Sequence, residues 1–156
     1  MAPGSRDHEE AESLLSMATV DERLATICDV RVTRLSERYS ALTSTSILGS
    51  GANATVHSAT NLATGAKVAI KVLDAANLRD DSYYDSLCLE ILALREVRSP
   101  RVVKLHEVVA NEEVHLEVYI VMELLGGDEL FTRVIERPPL DEDYAQMLFA
   151  QVGRSH

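Results

Sequence analysis

Cysteine is scarce in this sequence, positive charge is in deficit, and no apolar run is long enough to cross a bilayer. Each shortage excludes something. The two cysteines, Cys28 and Cys88, stand sixty residues apart in no paired pattern. That favours free thiols in a reducing compartment over a disulfide. The five histidines are dispersed, with no ligand spacing to Cys, Asp or Glu, so no metal site is expected. Lys and Arg number 15 against 25 Asp and Glu, a formal net charge of −10. Without a basic patch such a surface repels nucleic acid and anionic lipid. Arg95, Arg98 and Arg101 are scattered among apolar residues, so neither partner is expected. The N-terminus, MAPGSRDHEEAES, lacks a basic start followed by an apolar stretch, so no secretory signal is expected. The longest apolar run, around Val118 to Leu125, is interrupted by Glu123 and falls short of the roughly 20 residues of a membrane span. A cytoplasmic protein follows by elimination.

What is present is material for a core. Apolar residues make up 46% of 156, which argues for one folded domain and against global disorder. Residues 1–38 differ from the rest: polar and charged at first, then a loose helical stripe of Leu14, Leu15, Ala18, Leu24, Ala25 and Ile27. They read as an N-terminal extension, partly helical or disordered. From Tyr39 the pattern turns to β. Ser40 to Leu48 reads as a strand, Gly49 and Gly51 interrupt it, and Thr55 to Thr60 resumes it. Asn61 to Gly65 holds turn residues, and Lys67 to Leu73 is a strong strand. Ser82 to Val97 carries Leu87, Ile91, Leu94 and Val97 at helical spacing, with Leu92 beside them. Asp80, Asp81 and Ser82 offer capping chemistry at its start, and Ser99-Pro100 ends it. Val102 to Val109 and Val118 to Met122 are two more strands. Gly126-Gly127 breaks the chain, and helices are expected over Asp128 to Glu136 and from Asp141 to Val152. The order implies an α+β layer, five antiparallel strands with one long helix against them.

Three features carry chemistry. Leu48-Gly49-Ser50-Gly51-Ala52-Asn53-Ala54-Thr55-Val56 lies between two strands. A dinucleotide fingerprint needs a helix right after its glycines, so that reading fails. A glycine-bearing hairpin can instead fold over phosphates, its small side chains letting backbone N–H groups approach; it can also be a plain tight turn. Next, Val68-Ala69-Ile70-Lys71 puts a lysine inside an apolar strand. Alternation sets Ala69 and Lys71 on one face, with Val68, Ile70 and Val72 on the other. Lys71 alone can snorkel, but an inward ammonium needs a counter-charge. Glu90, mid-helix in Leu87-Cys88-Leu89-Glu90-Ile91-Leu92, supplies one.

Taken together, these residues resemble the small, ATP-binding lobe of eukaryotic protein kinases: a glycine loop before a Val, a Val-Ala-Ile-Lys strand, and a mid-helix Glu nineteen residues on. The segment Tyr119 to Phe131 is similar to the family's last small-lobe strand and hinge, closest to serine/threonine kinases of the calcium/calmodulin-dependent kinase group. The match runs from about Tyr39 to Val152. It implies a small lobe over 39–125, and a hinge exit and incomplete large lobe over 126–156. It also implies roles. Leu48, Gly49, Ser50, Gly51 and Ala54 would line the phosphate-covering loop, and Val56 and Ala69 would sandwich adenine. Lys71 would hold the α- and β-phosphates, with Glu90 orienting it. Met122 would be the gatekeeper, the Glu123 carbonyl and Leu125 amide would meet the adenine edge, and Glu129 would face the ribose. Leu94 and Leu105 would join the hydrophobic column between the lobes.

Two departures stand out. Ala54 replaces the third loop glycine, and Asn53 the loop-tip aromatic. The sequence also has no His-Arg-Asp and no Asp-Phe-Gly, so the base and the Mg²⁺ carboxylate of the family are absent from it. The implied protein is the ATP-binding part of a serine/threonine kinase, transferring phosphoryl groups to protein hydroxyls at full length but inactive as this chain alone. The alternative is a non-catalytic interaction module that keeps the lobe as a scaffold.

Overall fold

The computed structural model of the protein describes residues 30–73, 77, 80–111, 117–127, 129–136 and 141–153. Its elements are β1 (Arg31–Thr33), α1 (Leu35–Arg38), a 3-10 turn (Ser44–Ser46), β2 (Ile47–Ser50), β3 (Ala54–Thr60), β4 (Lys67–Leu73), α2 (Asp81–Glu96), β5 (Leu105–Asn111), β6 (Val118–Glu123), α3 (Leu130–Glu136) and α4 (Glu142–Gly153). The strands form one sheet in the order β1-β5-β6-β4-β3-β2. The five expected strands are antiparallel neighbours with α2 packed on one face, the α+β architecture read from the sequence.

The sheet has one strand more than that reading. β1 lies inside the stretch taken as an extension and pairs parallel to β5, Arg31 opposite Val109 and Thr33 opposite Asn111. The helical stripe from Leu14 to Ile27 and Cys28 lie outside the described residues. A second difference concerns Ser40 to Leu48. Only Ile47 and Leu48 of it belong to a strand, and a 3-10 turn precedes them. Hydroxyl side chains are the cause. The Thr43 N–H donates to Ser46 Oγ at 3.0 Å, and the Ser46 hydroxyl donates back to the Thr43 carbonyl at 2.8 Å. Such local bonds compete with a ladder.

The β3–β4 hairpin keeps full register from Ala54 opposite Leu73 to Thr60 opposite Lys67. Its turn is held by Asn61, whose Oδ1 accepts from the Ala63 and Thr64 N–H groups, and by Gly65 at φ +72. A left-handed φ is open to glycine at no steric cost. Side-chain alternation along β4 and β6 feeds two cores. On the α2 side, Leu73, Val108, Val118 and Ile120 meet Tyr84, Leu87, Cys88 and Ile91. On the other side, Val68, Ile70, Val109, Tyr119 and Val121 meet Leu35, Tyr39 and Ala59.

α2 starts where Asp80 Oδ1 accepts the Tyr83 N–H at 2.9 Å. Its buried stripe is Tyr84, Leu87, Cys88 and Ile91, one turn further toward the N-terminus than the expected stripe; Leu92 and Val97 face solvent. Tyr84 and Cys88 complete the i, i+3, i+4, i+7 pattern of one helix face.

Candidate functional site

Register assembles the residues that the sequence singles out. Gly49 on β2 is opposite Val56 on β3, Val56 is opposite Lys71 on β4, and Lys71 is opposite Ile120 on β6. Directly opposed residues share a face, so these four form one row across the sheet. The neighbouring row holds Ser58, Ala69 and Met122. Ala69 is buried and Met122 half-buried against the α2-side core. A small side chain and a cation therefore sit two residues apart on the same face as α2.

Glu90 lies at the border of the α2 buried stripe, between Leu87 and Leu94 on the helix surface, and turns toward that face. Lys71 Nζ donates to Glu90 Oε1 at 2.8 Å and to Oε2 at 3.1 Å. The side chains are 23% and 44% exposed. The ammonium is thus oriented by both carboxylate oxygens, on a side chain that stays partly exposed.

The glycine loop is a short hairpin closed by the Gly51 N–H on the Ala54 carbonyl at 2.9 Å. A bulge between Ile47 and Gly49 makes Leu48 the extra residue, and Leu48, Gly49, Ser50 and Gly51 are exposed. Gly49 and Gly51 are not among the left-handed glycines. A Cβ at Gly49 would meet nothing within 4 Å, and one at Gly51 only the Ala54 carbonyl at 3.8 Å. Neither glycine is demanded by the fold. The Tyr83 hydroxyl of α2 donates to the Asn53 carbonyl at the loop tip, at 3.4 Å.

The residues expected at the hinge lie at the end of β6 and beyond it. Glu123 acts locally: its N–H donates to the Lys104 carbonyl at 2.9 Å, and its Oε1 accepts the Lys104 N–H at 3.0 Å. Leu125 and Glu129 are exposed and lie beyond the last register pair of β6; the Glu129 carbonyl accepts from Arg133 and starts α3. Leu94 and Leu105 line a concavity of about 1080 Å³ at the C-terminal end of α2. There the chain gathers Arg31, Arg95, Arg98 and Lys104, cations that look scattered in sequence, alongside Glu107 and Glu123.

One cluster escaped the sequence reading. Glu107 on β5 accepts from Arg38 at 2.9 and 3.1 Å and from the Tyr39 hydroxyl, and lies 3.4 Å from Arg31 Nε. Burial first, then the bond to Glu107, pushes the Tyr39 phenol up to about 12. Burial pulls the Arg38 guanidinium down, and the bonds and charge of Glu107 more than offset it, so its pKa is raised. The available signal was Val30-Arg31-Val32-Thr33, an alternating β-branched run just before Tyr39. Among the described residues no group of three or more His, Cys, Asp or Glu is arranged to hold a metal ion. None of their helices is long and apolar enough to cross a membrane.

A mostly antiparallel sheet whose lysine is gripped by a helix glutamate, beside a glycine hairpin, is consistent with the small lobe of the protein kinase class. The family model "Protein kinase domain" matches residues 42–155, and the chain belongs to that family. Similar curated proteins are serine/threonine kinases of plants. CBL-interacting protein kinase 5 of Oryza sativa subsp. japonica is 42% identical over 106 residues, covering 68% of this chain and 22% of its own. CBL-interacting serine/threonine-protein kinase 15 of Arabidopsis thaliana is 40% identical over 108 residues, covering 69% and 25%. The chain therefore spans about a quarter or less of the relatives it matches.

Proposed function

We propose that this chain is the ATP-holding part of a protein serine/threonine kinase. The observation that carries the reading is the Lys71–Glu90 pair at 2.8 Å on the face beneath the open glycine hairpin. In this reading Lys71 binds the α- and β-phosphates and Glu90 holds its ammonium in place. The small side chains of Gly49, Ser50 and Gly51 let the exposed loop backbone approach the phosphates, while Leu48, Val56, Ala69 and Met122 pack on adenine. The Glu123 carbonyl and Leu125 amide read its edge, and Glu129 faces the ribose. Among the described residues no group of His, Cys, Asp or Glu is arranged to hold Mg²⁺, so in this reading the ion would come with the nucleotide. In the whole protein the reaction is γ-phosphoryl transfer from ATP to a protein hydroxyl; this chain alone binds without transferring. Kinship to the calcium/calmodulin-dependent kinase group rests on the segment Tyr119 to Phe131, and a cytoplasmic location on composition.

A second reading, a non-catalytic kinase-like interaction module, draws support from the exposed apolar residues of α3 and α4, among them Phe131, Ile135 and Phe149. Transcript sequence beyond His156 separates the two. In-frame His-Arg-Asp and Asp-Phe-Gly motifs favour the kinase; a stop codon without them favours the module. The nucleotide reading itself is tested by titrating the chain with Mg-ATP and comparing Lys71→Met. Saturable binding that the variant loses supports it, and binding indifferent to Lys71 removes it.

A further inference from the structure

The segment Val30 to Tyr39 does more than widen the sheet. It straddles the β5 edge and reaches both cores. Val30 packs on the α2 side, against the cluster of Tyr84, Leu87, Cys88 and Ile91 with Val108 and Ile120. A few residues on, Leu35 and Tyr39 are buried on the opposite side with Val109, Tyr119 and Val121. Between these anchors the backbone runs in register with β5.

Glu107 fastens the far anchor. Its carboxylate is 17% exposed and holds Arg38, Tyr39 and Arg31 at once. Charge-assisted bonds at such a depth are stronger than those in water. The chain beyond is tied to the β3–β4 hairpin as well: the Leu62 N–H donates to the Arg38 carbonyl at 2.8 Å, and the Ser40 N–H to the Thr60 carbonyl at 2.9 Å. The near anchor is Val30, which contacts the core that seats α2. α2 joins the sheet through side-chain packing, and packed helices shift by small rigid movements when that packing changes. Glu90 rides on the same helix, two residues from Cys88 and one from Ile91, both members of the core that Val30 touches.

We infer that the Val30–Tyr39 segment is a positioning element for the nucleotide site: Val30, packed against the core that seats α2, sets Glu90 against Lys71, and Glu107 keeps this wedge in place. Val30 and Glu107 are positioning residues; neither touches the phosphates. Residues 30–41 precede the part of the chain that matches the kinase family model, while Glu107 lies within it. The inference rests on the nucleotide-holding reading of Lys71 and Glu90.

The test uses the full chain and two readouts, hydrogen exchange of backbone amides and titration with a fluorescent ATP analogue in Mg²⁺. Variants are Val30→Asp, Val30→Ala, Val30→Ile and Glu107→Gln. Expected is an acceleration of about tenfold in α2 amide exchange around Leu87 to Leu92 for Val30→Asp and Glu107→Gln, with β3–β4 amides unchanged. Analogue affinity falls about five- to tenfold in the same variants. Val30→Ala shifts both in the same direction by less, and Val30→Ile behaves as the parent chain. Unchanged α2 exchange in Val30→Asp, Val30→Ala and Glu107→Gln overturns the inference. So does an equal acceleration across β3 and β4, which marks a merely structural segment. A parent chain that binds no analogue counts against the nucleotide reading instead, and α2 exchange still decides the wedge.

Discussion

At the scale of single residues, Lys71 and Glu90 separate stability from binding. Their pair is partly exposed, so breaking it costs the fold little, about 0–1 kcal/mol. Lys71→Met and Glu90→Gln are therefore expected to melt near the parent chain while losing nucleotide affinity by about tenfold or more. A melting loss as large as that of a core truncation would contradict this. Tyr39 makes a different prediction. Its phenol is held neutral in the fold up to about 12, by burial and then by Glu107, against an ordinary value of 10.0. A raised pKa gives a contribution that is complete below pH 10 and is lost as pH climbs through 12, because the unfolded chain releases its proton first. Denaturation followed between pH 9 and 12 is expected to show that loss in the parent and less of it in Tyr39→Phe. Lys71 and Glu90 were legible because charges inside apolar runs announce themselves. Glu107 was not: a Glu between His106 and Val108 on a strand looks solvated until Arg38 and Tyr39 fold back onto it.

At the scale of elements, the glycine hairpin and α2 each carry a test. Gly49 has an ordinary φ and empty space where a Cβ would go. Gly49→Ala is expected to leave stability unchanged or raise it by about 0.4–1 kcal/mol, through the unfolded state. It is also expected to weaken nucleotide binding, since the methyl occupies the phosphates' approach. Affinity equal to the parent's would remove the phosphate role of this loop. Asp80→Ala deletes the cap on the Tyr83 N–H and is expected to cost about 0.5–2 kcal/mol in denaturant unfolding. β3 and β4 were readable to within a residue because hydrophobic alternation and the Asn61–Gly65 turn agree. The stretch before β2 was not, because Thr43 and Ser46 satisfy each other's backbone and a propensity count cannot see that. The α2 stripe was displaced by a turn, since Tyr84 and Cys88 look less like core residues than Leu92 and Val97 do, and only packing against β5 and β6 decides between them. β1 has three residues, and an alternating run that short is a weak signal.

At the scale of the whole molecule, the sheet and α2 bury their apolar faces while α3 and α4 do not. Phe131, Ile135, Met147, Phe149 and Val152 are exposed, Phe149 at 78%. Burying each is worth roughly 1.5–3 kcal/mol. The net charge of −10 opposes association, but its reach is screened to about 8 Å at physiological salt. Self-association at tens of micromolar, with binding of a hydrophobic dye, is the expected behaviour in sedimentation; a clean monomer that binds no dye would contradict it. The proposal that underlies the rest is that Lys71, oriented by Glu90, holds a nucleotide's phosphates. A calorimetric titration of the parent chain, Lys71→Met and Glu90→Gln with Mg-ATP tests it most directly. Saturable binding by the parent at about 10 μM or weaker, reduced in Glu90→Gln and lost in Lys71→Met, is the expected result. No binding by the parent, or equal binding by Lys71→Met, would contradict it.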